Sequence, residues 1–321
     1  MLRRVSLVST RCKRQLSKYL IKFHWIPFVN LALTVFEIVA PVFLLAGIGF
    51  AWVKVGLEYR IQFVTQLAMT LSLPCLIFVS LMQSHIDTEA LKSLSIAAIV
   101  AYGIITIVFL ILVQLLGLKT RTYSAPLIFG NTGNLGLPLA LFAFGELGLS
   151  YAVIVFAIMA LWSYTFGIWL VAGKGSLHKV LCEPLVWGTI LGIIFLWQDW
   201  ETPIFLTNAL LLIGQMAIPM MLITLGVALA RLSGNNFIQA AILSFVKLIL
   251  CVGIAWASGY YFDLDQTAFG VLVLQVATPV AVTSYLLAEK YGADAQSVAG
   301  LVVASTLMSV GALPLILAAI L

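Results

Sequence analysis

Residues 130–138 read Gly-Asn-Thr-Gly-Asn-Leu-Gly-Leu-Pro, inside an oily segment that runs from about Ala125 to Phe144. Two amides, a hydroxyl, three glycines and a proline stand where a continuous helix would be easiest. Proline removes a backbone donor and crowds the preceding turn, and glycine tolerates extended backbone, so the stretch predicts an unwound segment. The rest of the chain decides where that segment lies. Of 321 residues, 63% are hydrophobic and 9% charged, with a mean hydropathy of +1.13, far from the roughly 45–50% and ~25% of soluble domains. The interruption therefore sits inside a membrane.

Apolar runs of about 20 residues, each long enough to cross a ~30 Å hydrocarbon core as a helix, recur along the chain between short charged or Gly/Pro-containing breaks. Ten are predicted: Thr34–Val53, Ile61–Met82, Leu94–Gly117, Ala125–Phe144, Leu149–Val171, Pro184–Trp200, Pro203–Ala230, Phe237–Tyr260, Thr267–Glu289 and Gln296–Ile320. Ten spans leave no room for a soluble domain, which excludes most enzyme classes. There is no H-E-x-x-H, no G-x-S-x-G and no pair of acids deep in facing spans, so metal, serine and aspartyl chemistry lack their residues.

Charge is distributed unevenly. Seven of the 17 Lys and Arg precede the first span, and no acid appears before Glu37. Residues 1–30 thus form a basic extension: a transit-like peptide, an arm on anionic lipid, or upstream sequence outside the working protein. Beyond it, Lys54, Arg60, Lys119, Arg121, Lys174, Lys179, Arg231 and Lys290 follow odd-numbered spans, whereas the other side holds Lys92 beside Asp87, Glu89, Asp199, Glu201, Asp263 and Asp265. The positive-inside rule places the first set in the cytoplasm and both termini outside, in a multi-pass protein of the cell (inner or plasma) membrane. Cys12, Cys75, Cys182 and Cys251 show no C-x-x-C spacing, and neither disulfide nor metal nor other cofactor is expected.

Prolines set the organisation. Pro41 and Pro184 are 143 residues apart, Pro74 and Pro219 are 145 apart, and Pro138 and Pro279 are 141 apart. Nearly one offset implies two related halves, 31–173 and 184–321, joined by a cytoplasmic linker at 174–183. Five spans is an odd number, so the second half enters the membrane from the opposite side. The predicted fold is an all-α membrane protein of ten helices in a 5+5 inverted repeat, the architecture of secondary transporters, with the site between interrupted helices near the midplane.

Spans 4 and 9 are the two in which polar side chains coincide with a mid-span proline. Unwound backbone is costly in lipid unless it faces protein or a wet cavity, so the two breaks are expected to meet. They would point peptide N–H groups and the side chains of Asn131, Thr132, Asn134, Gln275 and Thr278 at one space, shaped by Gly133, Gly136, Pro138, Pro279 and Val280. Half-helix N-termini carry partial positive charge, and amides and hydroxyls without a carboxylate suit a small organic anion, such as a carboxylate, better than a cation. Glu37 is a candidate coupling acid. Lys247, placed one to two turns inside span 8, is expected to snorkel to the cytoplasmic surface. Glu146 and Glu289 are expected at opposite helix exits in contact with water.

The stretch "PLIFGNTGNLGLPLALFAFGELGL" and the later "VLQVATPVAVTSYLLAEKYGADAQSVAGLVVASTLMSV" resemble the auxin efflux carrier family of membrane transporters, whose prokaryotic members include malate- and malonate-type carriers. The resemblance covers about nine-tenths of the chain. It implies crossing broken helices at spans 4 and 9, a scaffold of spans 1, 2, 6 and 7, and a mobile unit of spans 3–5 and 8–10. The basic extension and the short linker depart from the family pattern, so the loop-based control of many plant members is not implied. The function expected is a carrier working by alternating access. A solute-gated channel or membrane sensor using the same broken helices is the alternative. The expected partners are the small anion and the lipid bilayer, with no nucleic acid, and pairing of two copies through the scaffold helices is left open.

Overall fold

The computed structural model describes residues 33–84, 88–172, 184–232 and 237–321. The basic extension, His85, Asp87 and the linker with Lys174, His178, Lys179 and Cys182 lie outside the described residues.

Helices occupy the predicted apolar runs. They are α1 (Leu33–Lys54), α2 (Ile61–Met82), α3 (Thr88–Leu115), α4 (Thr120–Ile128), α5 (Thr132–Ala172), α6 (Pro184–Gln198), α7 (Ile204–Arg231), α8 (Phe237–Tyr261), α9 (Gln266–Val276), α10 (Val282–Lys290) and α11 (Ala295–Ile320). Seven of them are long and apolar enough to cross a membrane: α1, α2, α3, α5, α7, α8 and α11.

At 41 residues α5 would be about 60 Å long if straight, twice the hydrocarbon thickness. It is not straight. Gly145 takes φ 67° and ψ −158°, a conformation open to glycine and strained for other residues. A Cβ on Gly148 would stand 2.7 Å from the Ala140 carbonyl oxygen, eight residues earlier, where a straight helix would separate the two by about 12 Å. The chain doubles back at Gly145, dividing α5 into a leg 132–144 and a leg 146–172. Glu146 is exposed just after that turn, and Glu289 is exposed near the end of α10.

The helices form two packed groups. In the first, α1 and α7 cross so closely that a Cβ on Gly226 would meet the backbone of Ala46, and one on Gly49 the backbone of Ile223. Likewise, α6 lies on α2 through Gly188 against Pro74 and Gly192 against Leu81, and α7 reaches α2 through Gly214 against Leu76. With no hydrophobic drive between helices in lipid, close backbone approach at small residues supplies the attraction. In the second group α8 packs on α3, α9 and α11, and α9 packs on α5. Ser80 of α2 and Ser150 of α5 share a hydrogen bond between the groups, at 3.1 Å.

Prolines distort the turn before them rather than breaking it. Pro74 follows a π-helical turn at Ala68–Ser72, and Pro219 follows an irregular turn at Met216. In each case the missing N–H and the ring clash fall on the residue four positions earlier.

Candidate functional site

The first interruption lies between α4 and α5, at Phe129–Asn131. Phe129 is extended, at φ −97° and ψ 129°, and Asn131 takes φ −84° and ψ 51°. A π-helical turn, Thr132–Gly136, then leads into Leu137 and Pro138, with the Asn131 carbonyl accepting from both Leu135 N–H (3.1 Å) and Gly136 N–H (3.2 Å). The break thus falls seven or more residues before Pro138, which widens the turn ahead of it. The second interruption spans Ala277–Ala281 and contains Pro279 itself.

The two interruptions meet. Gly130 and Val280 form an isolated antiparallel bridge, in which Asn131 N–H donates to the Pro279 carbonyl at 2.7 Å. Other freed backbone groups are satisfied nearby. Thr278 Oγ1 donates to the Gln275 carbonyl at 2.7 Å, Val280 N–H donates to Ser305 Oγ of α11 at 3.0 Å, and Lys247 Nζ donates to the Leu127 carbonyl at 2.9 Å. Buried backbone polar groups need such partners, and all the more in lipid.

Glycine is required where the crossing is tightest. A Cβ on Gly130 would collide with Thr278 Oγ1, and one on Gly136 would collide with the Gln275 side-chain amide.

Beside the bridge lies a cavity of about 250 Å³, lined by Gly130, Asn131, Gly133 and Asn134 at the first interruption, by Ala281 at the end of the second, and by Thr283 and Ser284 beyond it. Phe156, Met159 and Tyr164 of α5 wall it, Met69 reaches it from α2, and Lys290 stands on its lining. Asn131 Nδ2 is buried without a hydrogen-bond partner in the protein. The same is true of Thr132 Oγ1 and both amide atoms of Gln275. Buried polar groups left unpaired cost about 1–3 kcal/mol each, so their presence calls for water or a ligand.

The predicted site residues therefore fall in four places. Asn131, Gly133 and Asn134 line the cavity; Thr132, Gly136 and Pro138 pack behind it with Gln275, which is fully buried. Thr278 and Pro279 face a second, much smaller space on the side of α8 and α11, while Val280 carries the bridge. Glu37 is exposed on α1 and does not line either space.

Lys247 corrects the sequence expectation. It does not snorkel: its side chain is 3% exposed and turned inward to Leu127. α8 begins at Phe237, so Lys247 stands ten residues, about 15 Å, along the helix, too deep to reach a surface. Its position amid an apolar run was the available signal. Ser305 and Lys290 were missed as site residues for want of any signal beyond residue type, and Gly130, read as part of the unwound stretch, was not singled out within it.

Comparison with known proteins adds the family context. A family model described as "Membrane transport protein" matches residues 34–180 and 170–317. An "uncharacterized transporter" of Methanocaldococcus jannaschii is 24% identical over 297 residues, covering 85% of this chain and 94% of its own. A protein of Rhizobium meliloti named "Putative malonate transporter" is 23% identical over 200 residues, covering 57% of this chain and 61% of its own.

Proposed function

The chain belongs to the membrane transport protein family, the auxin efflux carrier family that its interrupted helices resemble, and from that premise we propose that it is a secondary carrier for a small organic anion. The observation that carries this reading is the Gly130–Val280 bridge beside a cavity lined by Asn131 and Asn134. Two interrupted helices crossing beside a cavity that carries amide side chains are what alternating access needs, because both half-helix ends then bear on one solute.

In this reading α4 with the first leg of α5 is one crossing, the second leg of α5 another, and α9 with α10 a third. Ten crossings result, in two halves of opposite orientation. α1, α2, α6 and α7 form the scaffold, against which the other helices carry the site. Lys290 at the cavity and the unpaired amide N–H groups of Asn131 favour an anion, and the malonate-named relative points to a carboxylate. The scheme assigns the cavity to binding and release of the solute, with no catalytic step.

Exchange kinetics test it. Proteoliposomes loaded with unlabelled malonate should take up external labelled malonate faster than empty ones, with saturation. Flux that neither saturates nor responds to internal malonate would indicate a channel, and no flux across a panel of mono- and dicarboxylates would remove the carboxylate reading.

A further inference from the structure

Lys247 is the one charged side chain that is buried among the described residues. Among the described residues no carboxylate lies within 4.0 Å of it: the ion pairs Arg60–Glu58 and Lys92–Glu89 are exposed and elsewhere. Its neighbours are a carbonyl, a thiol and hydroxyls. Nζ donates to the Leu127 carbonyl and lies 4.0 Å from Cys251 Sγ. A space of about 10 Å³, enough for roughly one water, separates it from Thr278 and Pro279 of the second interruption and from Ser305 and Ser309 of α11. Cys251 and, beyond it, Tyr102 of α3 are the titratable groups on this side.

A buried lysine without a carboxylate is expensive to keep charged, and a methionine would fill the same volume at no such cost. What the ammonium meets explains its presence. In a continuous helix the Leu127 carbonyl would accept from Asn131 N–H, but that N–H goes to Pro279. The interruption leaves Leu127 as an open carbonyl at the C-terminal end of a half-helix, where the dipole is negative. In interrupted-helix transporters such ends hold the coupling cation.

We infer that the Lys247 ammonium is a resident cation, filling the position at the α4 end that a sodium ion would otherwise take. Transport then needs no sodium, and the charge that offsets the anionic solute comes from the chain itself. Leu127 is three residues before Gly130, whose backbone lines the solute cavity, and a charge in that low-dielectric interior acts across such a distance. The inference rests on the carrier reading of the crossing.

Three variants test it, each measured for melting temperature in detergent and for malonate exchange in proteoliposomes, in sodium, methylammonium and choline chloride. The wild type should melt and exchange alike in all three salts. Lys247→Met, which keeps length and loses charge, should exchange at least about tenfold more slowly, and Lys247→Arg should keep more activity than Met. Lys247→Ala opens the position, so sodium or methylammonium, but not choline, should raise its melting temperature and restore part of its exchange. A sodium requirement in the wild type would overturn the inference. So would wild-type exchange by Lys247→Met, or an alanine variant indifferent to the cation; if alanine does not fold, the Met and Arg pair decides. Melting needs no solute, which separates the two claims. Cation-specific stabilisation of Lys247→Ala without any malonate exchange in the wild type would sink the carrier reading and keep the resident cation, and the reverse pattern would do the opposite.

Discussion

The two interrupted helices meet at one bridge but close their open ends by different means. α9 starts under an N-cap, Asp265, whose Oδ1 accepts from Thr267 N–H and Ala268 N–H at 3.0 Å each, and whose Oδ2 accepts from Tyr151. Its far end is closed within one turn by Thr278 Oγ1, and Ser305 receives the N–H of Val280. α4 has no side-chain cap at Lys119. Its open carbonyl is met by a lysine 120 residues away, and the next free N–H by a carbonyl in the other interruption. The second interruption is held mainly by hydroxyls of its own neighbourhood, the first by distant groups. Disturbance should therefore spread from the first, and four measurements can sharpen or break that contrast.

The largest effect is expected at Gly130→Ala, because the added Cβ meets Thr278 Oγ1 across the bridge. Malonate exchange should fall by about a hundredfold, the scale of an ångström-sized displacement at a working site. Near-normal exchange would mean that the bridge is dispensable.

Next come the two amides, which the structure separates. Asn134 lines the cavity, so Asn134→Ala should weaken apparent affinity by roughly tenfold to a hundredfold, the worth of a hydrogen bond to a charged ligand. Gln275 is fully buried against Gly136, so Gln275→Ala should slow turnover more than it weakens affinity. Equal loss of affinity in both variants would place Gln275 on the solute instead.

A smaller and purely structural effect is expected at Ser305→Ala. It strands the Val280 N–H, which costs about 1–3 kcal/mol and shows as a lower melting temperature. An unchanged melting temperature would deny the hydroxyl its role.

The smallest concerns Asp294, the N-cap of α11, in the turn after α10. Hydrogen bonds from the Ser297 backbone and hydroxyl hold its carboxyl below the ordinary carboxylate range. A lowered folded value means that the stabilisation is present above the unfolded value of about 3.9 and is lost as pH falls through the folded one. Asp294→Asn should flatten that acid-side decline while costing under about 1 kcal/mol at neutral pH, as suits a mostly exposed group. A decline identical in both proteins would assign it to other carboxylates.

Much of this was legible in the sequence. Apolar length bounded by charges fixes helix ends closely: Ile61–Met82 was expected and found, and Phe237–Tyr260 was expected where the helix ends at Tyr261. The interruptions were legible as glycine, proline and amides in an oily run. Their exact placement was not, because the first opens where Val280 arrives to pair with Gly130, a tertiary event that Pro138 does not record. Gly130 was read only as one of three glycines that loosen the helix, since the need for a missing side chain is visible only once Thr278 stands opposite. Lys247 was misread because its depth depends on where α8 starts and its partner is a backbone carbonyl, which no residue type announces.

The Gly130–Val280 bridge also bears on how the protein is made. Ribosomes deliver the chain from its N-terminal end, so Asn131 N–H is in place about 150 residues before the Pro279 carbonyl that will accept from it. Throughout that interval the first interruption lacks its strand partner, and until α8 is made it lacks Lys247 as well, so its peptide groups must be kept wet or held by the insertion machinery. Closure of the bridge is then a late step of biogenesis, and a chain truncated between α8 and α9 is left with an unsealed wound in its first half.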